Sequence, residues 1–190
     1  MRLHLNKPGI RALGVAESFR QGQKSSVLAG VVMRSDHVID GVAYGRTKVG
    51  GDDATDSIAS LHRRLGRNDI NLVMVSGAIL SLYNIVDADR LSERTRLPVI
   101  CLTYKETAGI EGSIRRHFPE GAEEKLRAYR RLGRRSGVRL RTGKKVFVRT
   151  AGLEKEETRK ILDAFTLQGS IPEPVRVAKL LARAAQSRPA

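Results

Sequence analysis

Apolar and polar residues alternate along this chain in two rhythms, and the change between them falls near residue 50. Residues 10–17 (IRALGVAE), 26–34 (SVLAGVVMR) and 37–43 (HVIDGVA) are short apolar runs broken by RQGQKS and by SD. Breaks this short suit antiparallel neighbours, so three meandering strands are expected. Ala54, Ile58, Leu61 and Leu65 then recur at helical spacing, which predicts a helix opened by Asp52 or Asp53 at its N-cap. Residues 72–75 (LVMV) and 98–102 (PVICL) are continuous apolar runs of strand length, with a helical segment over 86–95 between them. Further on come helical segments at 107–117 and 123–135, a basic hairpin at 138–150 (VRLRTGKKVFVRT), and closing helices at 154–167 and 174–186.

Strands that alternate with helices signal parallel pairing through crossovers. Three meandering strands followed by β-α-β units is the order of a ribonuclease-H-like α/β fold, a mixed sheet flanked by helices, and other mixed α/β folds share that order. The 190 residues fit a single domain over 1–190, with no internal repeat and no linker, and the hydrophobic fraction of 41% is enough to bury a core. The longest apolar run, 27–33, is too short to cross a bilayer. The start of the chain, MRLHLNKPGIR, lacks the apolar stretch of a secretory signal. A single cysteine, Cys101, leaves no internal disulfide and no zinc spacing, and a reduced, cytoplasmic setting is the expectation.

Charge changes this picture most. Lys and Arg number 35 against 20 Asp and Glu, a net of +15. Such an excess favours a polyanion, because each phosphate contact releases counterions. Arg127, Arg130, Arg131 and Arg134 recur at three- and four-residue spacing and form a stripe about 10 Å long on the helix expected there. Arg135, Arg139, Arg141, Lys144, Lys145 and Arg149 carry the positive region into the hairpin. Aromatic residues are only 4%, so contact with the nucleic-acid backbone is a better expectation than base stacking. The plain alternative is a solvated basic face.

Other chemistry is thin. His4, His37, His62 and His117 show no ligand spacing, and no nucleophile elbow, P-loop or dinucleotide fingerprint is present. What remains is acids near strand ends: Glu17, Asp52, Asp53 and Asp87. Two-metal nucleases need clustered acids to hold Mg²⁺ against a phosphodiester. Each acid also has a plain role. Asp53 and Asp87 can cap helices, Asp52 can face solvent, and Glu17 can simply leave the sheet.

Several stretches carry a resemblance: KPGIRALGVAESF (7–19), VLAGVVMR (27–34), VGGDDAT (49–55), VMVSGAILSLYNIVD (73–87), RLPVICLT (96–103) and GSIPEPVRVAKLLARA (169–184). Over nearly its whole length the chain resembles the archaeal endonuclease dU family, relatives of endonuclease V with a ribonuclease-H-like fold. The resemblance implies a metal-dependent endonuclease in DNA repair. It would hydrolyse a phosphodiester in DNA that carries deaminated bases, uracil in particular. It implies Glu17, Asp53 and Asp87 as catalytic acids, Glu17 and Asp53 as ligands of Mg²⁺ or Mn²⁺, and Lys105 as a phosphate contact beside the arginine stripe, Lys144 and Lys145. Against the family's Gly-Ile-Asp-Asp-Gly, however, the first Asp falls on Ala16 and the second on Glu17. The first Asp of Val-Asp-Gly-Leu-Asp-Ala-Thr is Gly50. The strand that ends in Asp in endonuclease V ends here in Ser76. Successive strand residues face opposite ways, so Glu17 is expected on the face away from Ala16. The alternative is a non-catalytic nucleic-acid-binding homologue with an incomplete metal site; a structural or regulatory protein that binds another protein is a third possibility. Oligomeric state is left open.

Overall fold

The computed structural model describes residues 9–104, 106 and 109–187. The N-terminal meander is β1 (Arg11–Ser18), β2 (Ser25–Arg34) and β3 (Ile39–Lys48), antiparallel throughout. β3 runs five residues past the expected 43. Its exposed and half-buried residues alternate as on an edge strand, and Gly41, Gly45, Arg46 and Lys48 dilute the apolar signal. Helix α1 (Ala54–Arg64) follows, then β4 (Leu72–Val75), which lies parallel to β1.

After β4 comes a small hairpin of β5 (Ile79–Leu80) and β6 (Asn84–Ile85). Helix α2 (Ala88–Thr95) leads to β7 (Val99–Thr103), parallel to β4. Helices α3 (Glu111–His117) and α4 (Ala122–Arg131) precede a hairpin of β8 (Ser136–Arg139) and β9 (Lys145–Ala151), and β9 lies antiparallel to β7. Helices α5 (Lys155–Phe165) and α6 (Glu173–Ser187) close the chain. Helix α4 ends at Arg131, short of the expected 135, because Gly133 turns the chain with φ 64°. Arg134 and Arg135 therefore leave the helix and lead into β8.

The sheet order is β3-β2-β1-β4-β7-β9-β8. β4 is buried at every residue, as befits a central strand covered on both faces. One face packs Leu13, Val15, Leu28 and Val75 against Ile58, Leu61 and Leu91 of α1 and α2. The other packs Leu72, Met74, Ile100 and Leu102 against Ile161, Leu162, Phe165 and Val175 of α5 and α6. Helix α6 comes so close to β1 that a Cβ at Gly14 would sit 2.6 Å from Val175 N and run into the Pro174 carbonyl. Glycine at 14 and the Pro-Glu-Pro start of α6 are thus one packing feature, read from both sides.

Candidate nucleic-acid site

The parallel strands β1, β4 and β7 end side by side, and the Ser76 N–H donates to the Val15 carbonyl at 2.9 Å. In open α/β sheets the carboxyl ends of the strands are where ligands bind. Glu17 stands there. Strand alternation places it as expected: Ala12 and Ala16 lie on the α5/α6 side, the latter with Val31, Met33 and Ala178, while Leu13 and Val15 lie with α1. Glu17 therefore turns to the α1 side, where its Oε1 accepts from the Ser81 N–H at 3.2 Å. Burial pushes its carboxyl above the ordinary value; the Ser81 amide, the Ser26 hydroxyl and the Lys179 ammonium pull it back only in part. Glu17 is thus an acid suited to carry a proton.

Asp53 occupies the N-cap position of α1, but its carboxylate turns back to β3. Its Oδ1 accepts from the Thr47 hydroxyl at 2.7 Å, from Asn84 Nδ2 at 2.7 Å and from the Lys48 N–H at 3.1 Å. Burial by itself would raise the Asp53 carboxyl, yet these donors outweigh it and hold the group below the usual range. Asn84 is fully buried and completes the knot: its Oδ1 accepts from the Ala54 N–H at 2.9 Å and its Nδ2 also donates to the Lys48 carbonyl at 2.8 Å. One amide thereby joins the end of β3, the start of α1 and the β5–β6 hairpin.

Asp52 and Asp87 lie elsewhere, on a cleft of about 200 Å³ shared with Arg90, Glu124 and Arg131. Asp87 caps α2, accepting from the Arg90 N–H at 3.1 Å. Asp52 is 69% exposed but is not simply solvated. It pairs at 2.7 Å with Lys125, whose side chain is only 7% exposed and lies over the Phe118 ring at 4.7 Å. Lys125 points inward among the arginines of α4, and spacing alone did not separate it from the outward stripe.

That stripe is outward. Arg127, Arg130, Arg131 and Arg134 are exposed, as are Lys144 and Lys145 on the β8–β9 hairpin. Among the described residues none of the six takes part in an ion pair. Lys105 lies outside the described residues. Arg149 behaves differently: it is half-buried and donates through Nε to the Leu132 carbonyl at 3.1 Å, at the end of α4. It lines a cavity of about 290 Å³ at the carboxyl ends of β4 and β7, together with Arg135, Lys179, Ser76, Tyr104 and Tyr129. Lys179 was missed from the sequence; its place in the apolar run of α6, four residues after Val175 and three before Ala182, is the signal that could have found it.

The fit to a divalent ion is poor. Among the described residues no three of His, Cys, Asp or Glu gather where an ion could be held. Asp53 is saturated with hydrogen-bond donors, Asp52 is neutralised by Lys125, Asp87 caps its helix, and half-buried Glu17 alone keeps a buried carboxylate oxygen, Oε2, without a hydrogen-bond partner. A Mg²⁺ site asks instead for carboxylates free to face the ion.

The chain matches the protein family described as Endonuclease dU over residues 8–186, and it belongs to that family. A UPF0215 protein of Pyrobaculum aerophilum is 35% identical over 92% of this chain and 93% of its own. A crystal structure of an Archaeoglobus fulgidus protein of unknown function superposes with a TM-score of 0.80, at 28% identity, over 94% of this chain and 99% of that one. Endonuclease V of Ciona intestinalis, solved in complex with a DNA containing an inosine, superposes with a TM-score of 0.59 over 93% of this chain and 85% of that one, at 14% identity. The fold is ribonuclease-H-like.

Proposed function

We propose that this member of the endonuclease dU family is a nucleic-acid endonuclease that cuts DNA carrying deaminated bases, uracil in particular. Family membership over residues 8–186 is the observation that carries the reading. The likeness in fold to an endonuclease V bound to inosine-containing DNA supports the substrate class. The unpaired stripe of Arg127, Arg130, Arg131 and Arg134, continued by Lys144 and Lys145, supplies a backbone-binding face. Among the described residues no helix is long and apolar enough to cross a membrane.

In this reading Glu17 is the acid that meets the substrate, since it lies at the strand ends and holds a proton more readily than an ordinary carboxyl. Asp53 fixes the junction of β3 with α1, and Asp87 that of β6 with α2. The described acids do not assemble around one position that could hold Mg²⁺ or Mn²⁺. The test is incubation of the full chain with single- and double-stranded oligonucleotides containing uracil or hypoxanthine, in Mg²⁺, in Mn²⁺ and in chelator. Nicking at the lesion by wild type, lost in Glu17→Ala, is expected. No nicking in any condition refutes the enzymatic reading.

The scattered acids favour a second reading, a non-catalytic nucleic-acid-binding protein on the same fold. It predicts DNA affinity that falls steeply with salt, and no nicking. Replacing three stripe arginines by Ala should lower the log–log salt slope by about 3. Absence of salt-dependent affinity for DNA or RNA removes both readings.

A further inference from the structure

The cavity at the ends of β4 and β7 is set apart by what lines it. Three cations reach it from separate elements: Arg135 from the α4–β8 turn, Arg149 from β9 and Lys179 from α6. Ser76 and the tyrosines Tyr104 and Tyr129 add hydroxyls. Arg149 is held in place by the Leu132 and Gly133 carbonyls, at 3.1 Å and 3.3 Å from its Nε, so its position is preset. Its electrostatic neighbours are Tyr129, Arg135 and Cys101, with no carboxylate among them in the described residues. Arg135 instead opposes the Arg149 charge, and burial opposes it further. Lys179 completes the group, and its field also reaches Glu17. Arg149 and Lys179 share this partly enclosed space as like charges, and an anion between them offsets their repulsion.

We propose that Arg135, Arg149 and Lys179 form a phosphate-binding site at the end of β4, which holds a phosphate group of the nucleic acid by direct charge-assisted hydrogen bonds with no metal ion between. This rests on the nucleic-acid reading above and gives its phosphate a place. The cavity volume of about 290 Å³ far exceeds one water's share of about 30 Å³, so a phosphate enters with the sugar it is attached to. Ser76 is part of the same arrangement. Its neutral hydroxyl at the end of β4 leaves the cavity's charge positive.

The site is tested on the full chain by calorimetric titration with inorganic phosphate, with a deoxynucleoside 5′-monophosphate and its unphosphorylated nucleoside, and with short oligonucleotides with and without a 5′-phosphate. All titrations are run in chelator at matched ionic strength. Monophosphate is expected to bind and the nucleoside not. Lys179→Ala and Arg135→Ala should each weaken monophosphate binding about tenfold or more, and Ser76→Asp should abolish it. A triple Ala variant at Arg127, Arg130 and Arg131 should lose DNA affinity and keep monophosphate binding. Arg149→Lys serves beside Arg149→Ala, because loss of the bonds to the end of α4 can unfold the latter. A 5′-phosphate that improves oligonucleotide binding marks a strand terminus as the natural source; equal binding with and without it marks an internal phosphate, and either supports the site provided the pocket variants weaken it. Three results overturn the proposal: monophosphate binding unchanged in Lys179→Ala and Arg135→Ala, binding matched by chloride at equal ionic strength, or DNA binding by wild type with none of monophosphate. The last leaves the nucleic-acid reading standing, whereas monophosphate binding without DNA binding removes that reading and keeps the anion site.

Discussion

Asn84→Ala should be among the most destabilising single changes in this chain, although it removes only one small side chain. Asn84 is fully buried and serves Asp53, Thr47, Lys48 and Ala54 at once. The groups it leaves behind differ in how readily water replaces it. Lys48 is exposed, so its carbonyl can be solvated at little cost. Ala54 is fully buried, and its orphaned N–H costs about 1–3 kcal/mol. Asp53 loses a donor to a charged acceptor, worth about 1.5–3 kcal/mol. The sum is about 2.5–6 kcal/mol, against a total stability of about 5–15 kcal/mol for a domain. Urea unfolding checks it. With slopes of about 2–3 kcal/mol per molar, the midpoint should fall by roughly 1–3 M with the slope unchanged.

The same reasoning fixes a pH dependence. Donors hold the Asp53 carboxyl below its ordinary value of 3.8, so the stability it contributes is complete above that value and is lost as pH falls through the depressed folded value. Asn84→Ala lets the folded value rise towards 3.8, and the mutant's deficit should narrow below about pH 4. A double-mutant cycle of Asn84→Ala with Asp53→Ala should give a coupling of about 1.5 kcal/mol or more. A deficit under about 1 kcal/mol, or a coupling near zero, would show that the knot is incidental to the fold.

Other changes have equally definite outcomes. Glu17→Gln removes a carboxyl whose ionised form the fold disfavours; wild-type stability falls as pH rises from 4.5 towards the raised folded value, and the variant's curve, followed by urea midpoint against pH, should lack that fall. Asp52→Ala should cost about 1–2 kcal/mol by denaturant unfolding, because it leaves the buried ammonium of Lys125 with only the Gly51 carbonyl and the Phe118 ring, whereas Lys125→Met should cost less than about 1 kcal/mol. Gly14→Ala drives a methyl into the Pro174–Val175 backbone and should cost about 1–3 kcal/mol, a fall in melting temperature of roughly 3–10 °C.

The fold was legible wherever periodicity was strong. Continuous apolar runs marked β4 and β7 as buried on both faces, and the spacing of Ala54, Ile58 and Leu61 marked α1. The end of β3 was obscure because an edge strand carries charge and glycine as readily as a loop does. The β5–β6 hairpin was obscure because two-residue strands have no measurable period. At the site, the exposure of Arg127, Arg130 and Arg131 followed from spacing on one helix, whereas Arg134 lies past the end of that helix. The cavity did not, since Arg135 and Arg149 belong to one basic hairpin region while Lys179 lies about 30 residues further on, and the three meet only through the fold. The Asn84 knot was hidden for the same reason, as its partners are 30–37 residues away.

Ala16 and Gly50, where the family has acids, and Ser76, where endonuclease V has one, make structural sense together. Ala16 packs with Val31, Met33 and Ala178 under α6, so an aspartate there would put its carboxylate into an apolar layer. Gly50 adopts φ 69°, and a Cβ on it would lie 3.3 Å from the Phe118 ring, so a side chain there is both strained and crowded. Ser76 borders a cavity already lined by three cations. Ala16 and Gly50 take negative charge away from the strand ends, Ser76 adds none, and Glu17 remains there with a carboxyl that burial holds above its ordinary value within the field of Lys179. A site built on metal ions concentrates acids and lets the ion supply the positive charge. Here the positive charge comes from the chain itself. The two arrangements respond oppositely to one substitution. An acid introduced at Ser76 should improve divalent-ion binding if a metal site is merely weakened, and should only destroy phosphate binding if the arginines and Lys179 have taken its place. Titration of Ser76→Asp with Mn²⁺ and with a deoxynucleoside monophosphate separates the two.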